Sequence, residues 1–182
     1  MVLLTQLKQQ TKGKTMKKLH QIGCALACAL MAFSVQAAHN FKNPHDNQLN
    51  CKVVGVLDGD TIDCYADGKK QRIRLAEIDA PEKSQPYGQK SKQLLSLLTY
   101  GKSVIVTYNQ QDKYGRIIGE VFTWRDPISV NYRMVQSGLA WAYERYIRDR
   151  AYVTAQQTAK SAKIGLWADK NPIPPEEYRR DK

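Results

Sequence analysis

With 182 residues the chain has room for one domain and an extension, and its 28 Lys and Arg against 17 Asp and Glu give a net charge of +11. That balance favours a polyanionic partner but says nothing about catalysis. All three histidines, His20, His39 and His45, precede residue 50, and there are no internal repeats or low-complexity tracts. Histidine-based proton transfer or metal ligation in the folded part and a repeat architecture are therefore both excluded.

In chain order, Met16-Lys17-Lys18 opens a basic segment, Ile22 to Phe33 is an apolar run, and Val35-Gln36-Ala37 has the small-residue pattern of a cleavage site. The run is too short to span a bilayer comfortably, so residues 1–37 read as a signal peptide starting at Met16, with no membrane anchor left after cleavage. A weaker lipoprotein signal lies at Cys28, after Ala25-Leu26-Ala27. Cleavage after Ala37 removes five lysines and no acids, leaving 23 basic against 17 acidic residues and a net charge of +6. An exported chain, periplasmic or secreted, is expected.

Residues 38–50 are polar and read as a flexible arm. Cys51 and Cys64 flank two apolar stretches, about 51–57 and 60–66, that read as strands joined at Asp58-Gly59. Similar distances from that turn put the two sulfurs on neighbouring strands, and export makes a disulfide their expected fate. Ala66-Asp67-Gly68-Lys69 turns into a third strand at about 70–77. Ile73 and Leu75 share one face of it and Arg72 and Arg74 the other. Arg74 and Asp79 differ in parity, so the strand must end or bulge between them if both are to face one site.

Tyr87, Ser91, Leu94, Leu95 and Leu98 have the spacing of a helix face, with Gly101 placed to cap it. Val104, Val106 and Tyr108 alternate as a fourth strand, and Asp112 to Arg116 turns into a fifth at 117–123. Asp126-Pro127 reads as a cap and first position of a helix ending near Gln136. A last helix is expected at about 149–164, with Tyr152, Ala155, Ala159 and Ala162 inward, Gly165 stopping it and Trp167 packing back on the core. Residues 168–182 read as a Pro-rich basic extended tail. Three strands, a helix, two strands and then helices predict a mainly β chain with helices (α+β): a five-stranded OB-fold barrel with C-terminal helices, over 51–167.

The chemistry left to the folded part belongs to carboxylates, arginines and tyrosines. That set fits metal-assisted hydrolysis of a phosphodiester. Asp60 and Asp79 can supply the oxygen ligands a hard cation requires. Glu82 can take a proton from water, and Arg74 and Arg116 can grip phosphate oxygens. Taken singly, each has a plainer reading: Asp60 as a turn residue, Asp79 as a cap, Glu82 and Arg116 as solvated charges, and Tyr114 as packing. Glu77 fits a salt-bridge partner or rim charge better than a catalyst. The main alternative is a non-catalytic OB module binding single-stranded nucleic acid.

Asp58-Gly59-Asp60-Thr61, Arg74-Leu75 with Ile78-Asp79-Ala80-Pro81-Glu82, and Asp112-Lys113-Tyr114-Gly115-Arg116 together resemble the staphylococcal nuclease (thermonuclease) family. Val130-Asn131, Gly138-Leu139-Ala140 and Gly165-Leu166-Trp167 extend the match. The resemblance implies a monomeric, Ca2+-dependent nuclease that cleaves DNA and RNA to 3′-phosphate products. By position it makes Asp60, Asp79 and the Ala80 backbone carbonyl the metal ligands, with alanine standing where the staphylococcal enzyme has threonine. It makes Arg74, Glu82 and Arg116 catalytic and Lys113, Tyr114 and Tyr143 nucleotide-binding. The loop from Glu82 to Tyr87 is shorter here than in the staphylococcal enzyme.

Overall fold

The computed structural model describes residues 47–181. The expected signal peptide and residues 38–46 of the expected arm lie outside them. Five strands close a barrel: β1 (Asn47–Val56), β2 (Thr61–Ala66), β3 (Lys69–Leu75), β5 (Ser103–Gln111) and β6 (Ile117–Thr123). Their order around it is β1-β2-β3-β6-β5, and β5 pairs back onto β1. All neighbours are antiparallel except β3 and β6, which run parallel through Ile73↔Ile117 to Leu75↔Gly119. This is the OB topology that the element order predicts.

Alternation explains the barrel. Val53, Ile62, Cys64, Ile73, Leu75, Val104, Val106, Ile117 and Val121 point inward and are buried, as the period-two spacing of a half-buried strand requires. Cys51 on β1 and Cys64 on β2 form a disulfide. Its ends lie 13 positions apart in sequence, and closing a loop of that size restricts the unfolded chain by about 3 kcal/mol. Reduction by dithiothreitol is accordingly expected to lower unfolding stability by about 3 kcal/mol in a urea titration; a change below about 1 kcal/mol would contradict it.

Several boundaries differ from expectation. Strand β1 begins at Asn47, because Asn47–Lys52 pair with β5 from Tyr108 to Ser103; the last four residues of the expected arm are strand. Strand β3 stops at Leu75. Glu77 then takes a left-handed conformation (φ 63°) and a two-residue strand β4 (Ile78–Asp79) follows. That is the break the parity of Arg74 and Asp79 demands.

Helix α1 (Gly88–Thr99) buries Ser91 and Leu95 and leaves Leu94 and Leu98 partly covered. Helix α2 (Val130–Gln136) begins after Ser129, whose hydroxyl accepts from the Tyr132 amide; it does not begin at Asp126-Pro127. Asp126 instead accepts from the Ile128 amide and pairs with Arg133. Strand β7 (Trp141–Ala142) pairs with β4. Helix α3 (Ala151–Ser161) is shorter than expected: Lys163 is left-handed (φ 53°) and Ala162 is exposed, while Tyr152, Ala155 and Ala159 do face inward. Trp167 is buried beside Ala159 and packs edge-on against Trp141 at 4.4 Å.

The tail is not extended throughout. Pro175 opens a helix α4 (Pro175–Arg180) with Glu176 and Glu177 in its first turn and Arg179 and Arg180 in its last. Those charges complement the helix dipole at both ends. Tyr178 donates its hydroxyl to the Ser84 carbonyl at 3.1 Å, and Gln85 donates to the Ile173 carbonyl at 2.6 Å, which seats this helix on the loop after β4. Among the described residues no helix is long and apolar enough to cross a membrane.

Candidate active site

At one mouth of the barrel lies a cleft of about 900 Å³. The β1–β2 turn brings Asp58 and Asp60 to it, β3 brings Arg74, β4 and the following loop bring Asp79 and Glu82, and the β5–β6 turn brings Arg116. Gly59 is obligatory in the first of these. A Cβ there would collide with the Ser91 side chain and with Ala80, so the turn lies flat against α1 and the Asp79-Ala80 strap.

Asp60 and Asp79 converge. Nη2 of Arg74 stands 3.1 Å from Oδ2 of Asp60 and 3.0 Å from Oδ1 of Asp79, so one nitrogen bridges both carboxylates. Their side chains are 8% and 3% exposed, and that of Arg74 is 14%. Nη1 of Arg74 donates to the carbonyls of Leu75 (2.7 Å) and Ile78 (2.8 Å), so the same guanidinium pins the chain reversal that delivers Asp79. Asp60 also accepts from the Ala80 amide at 2.8 Å and from the Thr61 hydroxyl at 3.0 Å. Burial pushes the Asp60 carboxyl up to about 7; Arg74 and the Ala80 amide only partly offset that, while Asp58 and Asp79 add to it.

Arg116 is aimed by its own turn. Asp112 accepts from the backbone amides of Tyr114 and Arg116, both at 2.9 Å, and from Nε of Arg116 at 2.7 Å. Burial works upward on the Asp112 carboxyl, but these hydrogen bonds outweigh it and hold the group below the usual range. Tyr114 is exposed, with the Arg116 guanidinium 5.7 Å and the Lys113 ammonium 5.1 Å from its ring centre. Tyr143 follows β7 and also lines the cleft; its amide donates to the Glu77 carbonyl at 2.8 Å and its ring meets Tyr146 edge-on at 4.7 Å. Glu77 itself accepts from the amides of Arg148 and Asp149, a structural role as expected.

All the sequence-predicted residues except Lys113 and the disulfide cysteines line this one cleft. Lys113 sits on the Tyr114 ring outside it, near a second groove lined by Lys70, Arg72, Tyr114 and Arg116.

Sequence reasoning missed Arg179. From α4 its Nη2 reaches Oδ2 of Asp79 at 2.8 Å, while Nη1 reaches Oε1 of Glu82 at 2.9 Å and Oδ1 of Asp79 at 3.2 Å. Burial works against its charge, but the bonds to Asp79 and Glu82 outweigh it and raise its pKa. Pro174-Pro175 followed by Glu176-Glu177 and, at the far end, Arg179-Arg180 was the available signal: proline at the first turn, acids next and bases at the end.

The donor set fits a hard divalent cation. Every donor is oxygen, and two buried carboxylates converge there, one of them pushed up to about 7 because burial outweighs the Arg74 charge beside it. Among the described residues no group of three Asp, Glu, His or Cys side chains closes around one point. The protein therefore offers two carboxylates, and backbone carbonyls and water would complete the shell.

An OB barrel whose mouth gathers aspartates, a glutamate and arginines, and no histidine or thiol, is the frame of a phosphodiester-cleaving protein. The sequence pattern described as "Staphylococcal nuclease homologue" matches residues 72–169. A Haemophilus influenzae protein named an uncharacterized endonuclease is 48% identical over 131 residues, 71% of this chain and 72% of its own. An Escherichia coli protein of the same name is 48% identical over 72% of this chain and 85% of its own, and a Shigella flexneri protein named micrococcal nuclease is 36% identical over 85% and 89%. The chain belongs to the staphylococcal nuclease family.

Proposed function

We propose that the protein is an exported, monomeric, Ca2+-dependent nuclease that hydrolyses DNA and RNA with little sequence preference to 3′-phosphate products. The observation that carries this reading is the meeting of Asp60 and Asp79 on one nitrogen of Arg74, in a cleft also lined by Glu82 and Arg116. Asp60, Asp79 and the Ala80 carbonyl would hold the ion, which when bound polarises the phosphate and lowers the pKa of water. Glu82 accepts the proton of the attacking water. The water oxygen bonds to phosphorus, the bond from phosphorus to the 5′-oxygen breaks, the departing oxygen takes a proton from solvent and Glu82 later releases its own to solvent, leaving a 3′-phosphate and a 5′-hydroxyl. Arg74 and Arg116 donate to the non-bridging oxygens, where negative charge builds up in the transition state.

Tyr114 and Tyr143, both lining the cleft, offer faces on which bases stack without a sequence code, and Lys113 adds charge beside Tyr114. The disulfide suits an oxidising compartment, which supports export.

The test is digestion of labelled single- and double-stranded DNA and RNA over a calcium titration and in chelator, with end-group analysis. Calcium-dependent 3′-phosphate ends are expected. Binding without cleavage at every calcium concentration would leave the non-catalytic module as the answer. Asp60→Asn, which removes one ligand charge, is expected to raise the calcium concentration for half-maximal rate by more than about tenfold. An unchanged midpoint would remove Asp60 from the ligand set.

A further inference from the structure

Arg179 stands on the two groups the proposed reaction needs most. Asp79 offers two oxygens, and both are taken: Oδ1 accepts from Arg74 and from Nη1 of Arg179, and Oδ2 from Nη2 of Arg179. Glu82, the proposed acceptor of the water proton, accepts from the same guanidinium through Oε1. A bidentate guanidinium and a hard cation want the same carboxylate oxygens, and like charges exclude one another at that range. Either Arg179 or a cation can sit on the Asp79 face that points towards Glu82, but not both.

From this we infer that Arg179 gates the site: helix α4 holds an internal guanidinium in the place of the cation, and cation binding displaces it and frees Glu82. The inference rests on the nuclease reading above, and it concerns what sets the cation requirement.

Three features of the seat make displacement feasible. The Arg179 side chain is 42% exposed, so water takes up its charge when it leaves. Helix α4 has six residues and is tethered at its edges by Tyr178 on Ser84, by Gln85 on the Ile173 carbonyl, and by a loose 4.0 Å pair between Arg145 and Glu176. A helix this short has little stability of its own, so it can shift while the barrel stays intact. Asp79, by contrast, is fixed by the pairing of β4 with β7 and by Arg74, so the carboxylate stays in place when the guanidinium goes.

The test is calorimetric titration of the intact protein with calcium alone, comparing wild type with Arg179→Gln, Arg179→Lys and Arg180→Gln. Removing a competing charge-assisted pair is expected to tighten calcium binding of Arg179→Gln roughly tenfold. Arg179→Lys should fall between, since lysine keeps the charge but loses the fork. Arg180→Gln, which removes the same charge from the same helix turn, should match wild type. In digestion assays the Arg179→Gln midpoint should fall by the same factor, with the rate at saturating calcium kept or raised.

Equal calcium affinity for wild type and Arg179→Gln would overturn the gate while leaving the nuclease reading standing. So would a tenfold or larger loss of saturated rate in Arg179→Gln, which would make Arg179 a substrate-holding residue. Equal tightening in Arg180→Gln would reduce the effect to net charge and overturn it as well. Absence of calcium binding in wild type and every variant would instead remove the cation site and both readings together.

Discussion

Glu82→Gln and Arg116→Ala are each expected to lower the rate of phosphodiester hydrolysis by about 10²–10⁴-fold and to leave the melting curve close to wild type. The structure separates the two effects. Among the described residues the side-chain partner of Glu82 is Arg179, and the Glu82 side chain takes no part in its own turn: the Gln85 amide donates to the Glu82 carbonyl at 2.9 Å, the Gly88 amide to the Gln85 carbonyl at 2.9 Å and the Glu82 amide to Gln85 Oε1 at 3.1 Å. Glutamine keeps the shape and loses the base. Alanine at 116 removes the guanidinium, yet Asp112 still accepts from the amides of residues 114 and 116, so the β5–β6 turn survives.

Combining the two should cost much less than the product of the single losses, because both act on one transition state. Plasmid digestion under saturating calcium, beside a thermal melt, checks the result. Rates within tenfold of wild type for both variants would contradict the assigned roles. Arg74 is a poorer first choice. It touches two carbonyls and two carboxylates, so its removal leaves buried charge unpaired and mixes folding with chemistry.

How far the sequence foretold this arrangement depends on how local each signal is. The strand alternation from Val53 to Val121 is local, because each side chain reports its own face of the barrel, and it was enough to read the topology. The break between Arg74 and Asp79 was legible as a parity conflict, and Glu77 resolves it with a positive φ. At the start of α2 two local signals competed. Asp126-Pro127 and Ser129 are both good caps, and Asp126 is drawn off by Arg133, a partner that no pattern of spacing announces.

The tail was illegible for a stronger reason. A six-residue helix is unstable alone and exists here because Tyr178, Gln85 and Arg179 tie it to residues some ninety positions earlier. The site could be assembled from the sequence only as a resemblance, since nothing local states that residues 60, 79, 82 and 116 meet. Asn131 shows the same limit in the core. On paper it is one polar residue in a helix, and its work is done between elements.

Asn131→Leu is expected to lower unfolding stability by about 3–5 kcal/mol, a large share of the roughly 5–15 kcal/mol that such a domain possesses. Asn131 is fully buried. Its Oδ1 accepts from the Val121 amide at 3.0 Å, and its Nδ2 donates to the carbonyls of Ala76 (3.0 Å) and Gly119 (3.1 Å). It thus fastens α2 to β6 and to the turn that leads from Arg74 to Asp79. Leucine matches the volume, so the loss comes from stranding a buried donor and a buried acceptor; Gly119 keeps the Ala76 amide at 2.8 Å.

Asn131→Asp should be no better: it can still accept from Val121, but it sets a carboxylate against two carbonyls. Urea unfolding measures both, and a loss below about 1 kcal/mol in either would show that the network relaxes or that water replaces it. Because the network clamps the backbone that carries Asp79, the surviving folded fraction should also need more calcium for half-maximal rate. That links core and site by a route that bypasses the catalytic side chains, and Glu82→Gln, which alters chemistry without touching the core, is the control that separates the two.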